Sequence, residues 1–154
     1  MLRRRTLLGA ATAVIGCSSQ VMAADTNGTP EQAKAMVEGA AALIEKEGNE
    51  KAFAVIDDPS GPFVKGDMYV FVTGFDGVTL AHGTNRVLIG KNLIQVKDAD
   101  GKLFVQAMID VAKSKGEGWV DYKWPNPVTH KIEAKTTYLK RAGDELVACG
   151  IYKG

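Results

Sequence analysis

Tyr122 and Trp124 stand two apart in the stretch Gly118-Trp119-Val120-Asp121-Tyr122-Lys123-Trp124-Pro125-Asn126-Pro127. A strand repeats every two residues, so both side chains share one face, while Asp121 and Lys123 point the other way. That face is aromatic and carries two donors, a phenol hydroxyl and an indole N–H. Lys135 lies inside the next extended run, Ile132 to Lys140, where an ammonium is costly unless something answers its charge. These residue types suit the grip of a small organic anion, since charge-assisted hydrogen bonds contribute about 1.5 to 3 kcal/mol each. Pairing Trp124 with Lys131 would set Lys135 opposite Val120 and place it on the aromatic face; a slip of one residue would send it to the other side. The sequence leaves that register open. It also leaves open plain sheet packing by Tyr122 and Trp124 and a solvated Lys135.

His82 ends an extended run next to Gly83 and is expected at a pocket rim, contacting ligand or the loop backbone. Tyr69, Phe71, Tyr138 and Tyr152 are strand aromatics that either line a cavity or fill the core. His130 falls in a loop and is expected to be exposed. Two histidines without clustered Cys, Asp or Glu make no metal site. There is no Cys-x-x-Cys-His haem attachment, no Walker-type phosphate loop and no serine nucleophile motif, and no cofactor is implied. No paired acid and base or activated nucleophile is visible, which argues against an enzyme.

These residues need elements to position them. Thr29, Pro30 and Gln32 form a capping-box start, and Ala33, Met36, Val37, Ala40, Ala41 and Ile44 recur at helical spacing until Gly48-Asn49. A short helix is expected from Glu50 to Ile56, closed by Asp58-Pro59-Ser60-Gly61-Pro62. Met68 to Thr73 and Val78 to His82 read as a hairpin about Gly74-Phe75-Asp76-Gly77. Leu103, Val105, Met108, Ile109 and Ala112 mark a third helix ending in Lys113-Ser114-Lys115-Gly116. Strands over 118–124, 132–140 and 146–152 close the chain. The order suits an α+β fold, one antiparallel sheet with helices mainly on one face.

The first residues are of another kind. Arg3, Arg4 and Arg5 precede an apolar run from Leu7 to Ile15, too short to span a bilayer at about 20 residues. This is the pattern of a signal peptide over residues 1–23, with Val21-Met22-Ala23 before the cleavage point and one domain over 24–154. Arg4-Arg5-Thr6-Leu7-Leu8 resembles a twin-arginine signal, and Val14-Ile15-Gly16-Cys17 resembles a lipoprotein box with Cys17 as the lipidated residue. Either route leads out of the cytoplasm, to the periplasm. The whole chain has 19 basic and 18 acidic residues. Loss of the three arginines turns that balance slightly acidic, which gives no field for nucleic acid. Cleavage also removes Cys17 and leaves Cys149 alone, so no internal disulfide can form; in its apolar run Cys149 reads as a buried small hydrophobe.

Phe75-Asp76-Gly77-Val78-Thr79-Leu80-Ala81-His82, Ile89-Gly90-Lys91-Asn92-Leu93, Asp98 to Lys102, Gly118 to Pro127, Lys135-Thr136-Thr137-Tyr138 and Gly150-Ile151-Tyr152 occur in that order. Together they resemble a single-Cache domain of the second type, across nearly all of the chain after residue 23. The resemblance implies a long N-terminal helix packed on a PAS-like five-stranded antiparallel sheet, and a pocket for small carboxylates such as pyruvate, lactate or acetate. It implies Tyr122, Trp124, Lys135, His82 and Tyr138 as ligand contacts. Members are extracytoplasmic sensor modules of chemoreceptors and histidine kinases, so a membrane receptor or kinase is the expected partner, and signalling would pass through it. The alternative is a periplasmic interaction protein with a vestigial pocket, whose first helix binds a receptor or a second copy of the chain as a homodimer.

Overall fold

The computed structural model describes residues 27–153; the expected signal peptide and Cys17 lie outside them. Helix α1 runs over Pro30–Glu47. Its capping box is formed: Thr29 Oγ1 accepts the Gln32 N–H at 3.2 Å, and Gln32 Oε1 accepts the Thr29 N–H at 3.0 Å. Two orphan donors of the first turn are thereby satisfied. Ala33, Val37 and Ala40 are its fully buried stripe, small residues that bring the helix close to the sheet. Helix α2, Asn49–Ile56, begins directly after Gly48. Helix α3, Phe104–Lys115, ends at Gly116, whose φ of 78° is the left-handed conformation that closes a helix without Cβ strain.

Six strands form one antiparallel sheet: β1 Val64–Lys65, β2 Met68–Gly74, β3 Thr79–His82, β4 Glu117–Pro125, β5 Ile132–Ala142 and β6 Glu145–Tyr152. The order is β1-β2-β6-β5-β4, with β3 also on β2. This corrects the expected five. β1 pairs with Met68 and Tyr69, and β3 with Phe71 to Thr73, so the two split a single edge of β2 between them. A two-residue strand beside Gly66 leaves no alternation to read.

Helices cover both faces, α1 and α2 one and α3 the other, against an expectation of mainly one. On the first face α1 and α2 pack against Met68, Val70, Val72, Val147, Cys149 and Ile151. On the second, α3 packs against Tyr69, Phe71, Leu139, Leu146, Ala148 and Tyr152. Strands β2 and β6 are buried on both sides, the pattern of a sheet sandwiched between layers. Cys149 is fully buried, and burial pushes its thiol up to about 12.

The β4–β5 register sets Tyr122 opposite Lys135, Trp124 opposite Glu133 and Val120 opposite Thr137. It differs by two residues from the pairing of Trp124 with Lys131, and an even shift preserves the faces. The turn explains the difference. Asn126 N–H bonds Lys131 O at 2.8 Å, and the Asn126 side chain accepts the Val128 N–H at 2.8 Å, so pairing continues to a tight capped loop.

Candidate functional site

Lys135 points into the face that α3 covers, and it is 1% exposed. Its ammonium donates to Tyr69 Oη at 2.8 Å. The rings of Tyr69, Tyr152, Phe71 and Tyr122 surround it, with centroids 4.2, 5.0, 5.5 and 5.7 Å from Nζ, close enough for cation–π attraction. Among the described residues the ion pairs are all at the surface, and none includes Lys135. Burial therefore lowers its pKa to about 7, opposed only in part by the Cys149 and Asp67 side chains.

The polar groups around the ammonium form a short chain. Tyr69 Oη lies 3.4 Å from Tyr152 Oη, and the Tyr152 hydroxyl donates to Pro125 O at 2.8 Å. The Thr137 hydroxyl donates to Tyr122 Oη at 3.0 Å. Phe104, the first residue of α3, stacks on Tyr122 at 4.7 Å and 3° and tilts against Trp124 at 5.0 Å. Tyr69, His82, Phe104, Tyr122 and Trp124 help to enclose a cavity of about 20 Å³, room for about one water. Beside it a more open cavity of about 310 Å³ lies between the end of β3 and the β4–β5 loop, with Tyr69, His82 and Trp124 in its wall as well.

His82 is buried, and its Nδ1 accepts the N–H groups of Asn85 at 2.9 Å and Thr84 at 3.3 Å. The backbone N–H of His82 donates to Asp57 Oδ1 at 2.8 Å. Burial, helped by the Lys135 charge, lowers its pKa to about 3, so at neutral pH the ring is uncharged and holds the loop that follows β3. That loop crosses the cavity and is laced at its far end. Asp98 Oδ1 accepts the N–H groups of Lys102 at 2.8 Å and Asp100 at 3.0 Å, while Oδ2 accepts Lys123 N–H of β4 at 3.0 Å. These bonds, that of Lys102 first, hold the carboxyl below its usual range.

Tyr122, Trp124, Lys135 and His82 thus come together, but Tyr138 does not. It is three residues from Lys135 on the same strand, and strand parity turns it to the α1 face. There its hydroxyl donates to Glu117, and the Lys34 ammonium lies 5.3 Å from its ring. Tyr138 is therefore corrected from pocket to core. Sequence reasoning also undervalued Tyr69, whose hydroxyl takes the ammonium's hydrogen bond, and Tyr152, whose hydroxyl lies next in that chain. The signal was available: Tyr152 pairs with Lys135 once the β5–β6 register is known. His130 is exposed, with a φ of 60°. Among the described residues no three His, Cys, Asp or Glu side chains gather to hold a metal, and no helix is long and apolar enough to cross a membrane.

Comparison with known proteins places this architecture. The family model described as Single Cache domain 2 matches residues 15–152. The chain belongs to that family. The Cache domain is 26% identical over 88 residues to methyl-accepting chemotaxis protein McpP of Pseudomonas putida, covering 56% of this chain and 16% of that protein. It is 33% identical over 73 residues to sensor histidine kinase MctS of Rhizobium johnstonii, covering 47% of this chain and 16% of that protein. The Cache domain thus spans about a sixth of the length of these curated relatives. A solved periplasmic sensor domain of a chemotaxis protein superposes with a TM-score of 0.66 at 25% identity, covering 80% of this chain and 90% of that one.

Proposed function

We propose that this Cache domain is an exported sensory module that binds a short carboxylate of the pyruvate, lactate or acetate class and passes its bound state to a separate membrane receptor or kinase. One observation carries the reading: Lys135 is a fully buried ammonium whose only hydrogen bond among the described residues goes to a neutral phenol. A carboxylate would supply the missing counter-charge. Tyr122 and Trp124 would wall the ligand, and His82, through the loop it anchors, would set the rim. The space of about 20 Å³ among these aromatics is smaller than acetate, so a ligand seated there rather than in the open cavity beside it would displace the loop or the Tyr69 ring and couple occupancy to conformation, with no chemical step required. Export through the residue 1–23 leader, by the twin-arginine route, completes the proposal; in the alternative, cleavage before Cys17 would leave that residue lipidated and the domain tethered. The relatives that are receptors and kinases support the sensory role.

The test is thermal unfolding of the purified chain with acetate, pyruvate and L-lactate. A true ligand at one hundred times its dissociation constant should stabilise the fold by about 2.7 kcal/mol. Lys135→Met keeps the stem and removes the charge, so it should fold at least as stably and lose the response. A wild type indifferent to all three acids sinks the proposal. The small enclosed volume favours a second reading, an interaction protein with a vestigial pocket. Light scattering separates the two, since a ligand-independent homodimer through α1 together with no carboxylate response would select the second.

A further inference from the structure

We infer that Gly150 is a positioning residue: its bare Cα is the seat across which the Lys135 stem reaches the Tyr69 hydroxyl. The inference rests on the reading of Lys135 as the carboxylate's partner. Gly150 lies inside β6, opposite Thr137 and two residues before Tyr152, which pairs with Lys135. It is not among the glycines with positive φ, so no turn requires it. A strand-interior glycine also costs backbone entropy and side-chain packing, and commonly marks a place where another group approaches closely.

The approaching group here is Lys135. A Cβ at position 150 would overlap Lys135 Cε and Thr137 Oγ1, and would stand 3.1 Å from Lys135 Cδ. The lysine therefore lies flat over Gly150, and this lets an ammonium rooted on β5 cross β6 to Tyr69 of β2. Any side chain at 150 turns the stem away. Thr137, whose hydroxyl fixes Tyr122 Oη, is crowded by the same Cβ. A methyl group in β6 would thus disturb both Lys135 and the Thr137–Tyr122 hydrogen bond without adding or removing charge. Because the clashing atoms are the flexible end of a lysine and a rotatable hydroxyl, the strand itself can remain paired.

The experiment compares the full chain with Gly150→Ala by two readouts. Reductive methylation with mass spectrometry reports Lys135 directly: it should resist modification in the wild type and react in Gly150→Ala. Thermal shift with acetate, pyruvate and L-lactate should show the apparent affinity weakened at least about tenfold. Gly150→Ala that still protects Lys135, or that responds to the acids as the wild type does, overturns the inference while leaving the proposed function standing. A wild type that ignores all three acids, with Lys135 exposed in Gly150→Ala, overturns the function and keeps the positioning role. Should Gly150→Ala fail to fold, Gly150→Ala/Lys135→Ala is compared with Gly150→Ala/Thr137→Ala: recovery of folding in the first shows that the lysine stem was the obstacle, and recovery in the second alone, or in neither, refutes it.

Discussion

At Lys135 the neighbouring ionisable groups are silent across the range where the lysine itself titrates. Burial holds the phenols of Tyr69, Tyr122 and Tyr152 above their ordinary value, the Cys149 thiol is pushed up to about 12, and His82 is neutral above about 3. Lys135 falls from 10.5 to about 7 in the folded protein. Between those values the unfolded chain binds more protons, so this group makes stability fall as pH drops from 10.5 to 7 and level off below. A carboxylate beside Nζ raises the pKa again. At pH 8 binding should therefore take up a proton, and affinity should weaken by up to about tenfold per pH unit above 7. Calorimetry in two buffers of different ionisation enthalpy measures that uptake directly; none in the wild type, or the same uptake in Lys135→Met, rules the linkage out. Tyr138→Phe should leave both the uptake and the affinity unchanged, since its hydroxyl lies on the other face with Glu117.

Elements were legible where a local rule decides them. The Thr29–Gln32 capping box marked the start of α1, and alternation put Tyr122 and Trp124 on one face. The β4–β5 register was not legible, because shifts by two residues keep every side chain on its face and only the Asn126-capped loop distinguishes them. The second helical layer was missed although its sign is in the sequence: Met68 to Thr73 is apolar at both parities, which means a strand buried on both sides. Tyr138 was misplaced by position within a motif where strand parity already excluded it. The loop over the cavity shows what fastens one element to another, since Asp98 alone takes three backbone N–H groups and one of them belongs to edge strand β4. Asp98→Ala should speed hydrogen exchange at Asp100, Lys102 and Lys123 while the α1 amides stay as slow as before. Unchanged exchange at Lys123 would mean that the strand needs no fastening there. The carboxyl sits below its ordinary pKa, so this fastening is present above 3.8 and is lost as pH falls beneath it.

Across the whole molecule, distant parts of the chain converge on Asp67 at one end of the sheet. It sits in the β1–β2 turn, 2% exposed, with Oδ2 3.5 Å from Asn126 Nδ2 of the β4–β5 loop, and the Gly28 backbone ahead of α1 also bears on it. The neighbouring Pro125 carbonyl takes the Tyr152 hydroxyl, so this end adjoins the hydrogen-bond chain that begins at Lys135. Yet Asp67 Oδ1 has no hydrogen-bond partner among the described residues, and leaving a buried acceptor unpaired costs about 1 to 3 kcal/mol. Burial raises the carboxyl's pKa above 3.8, the Gly28 and Asn126 hydrogen bonds opposing only in part. The folded state then binds more protons than the unfolded one, so Asp67 leaves the protein most stable at low pH and costs stability as pH rises from 3.8 through the raised value, with no further loss above it. Asp67→Asn removes the charge and keeps the shape. It should be more stable than the wild type at pH 7, with the difference shrinking toward pH 4, as urea midpoints across that range would show. A variant less stable at pH 7 by the same margin at every pH would mean that the carboxylate holds Gly28 and Asn126 together more strongly than its burial costs.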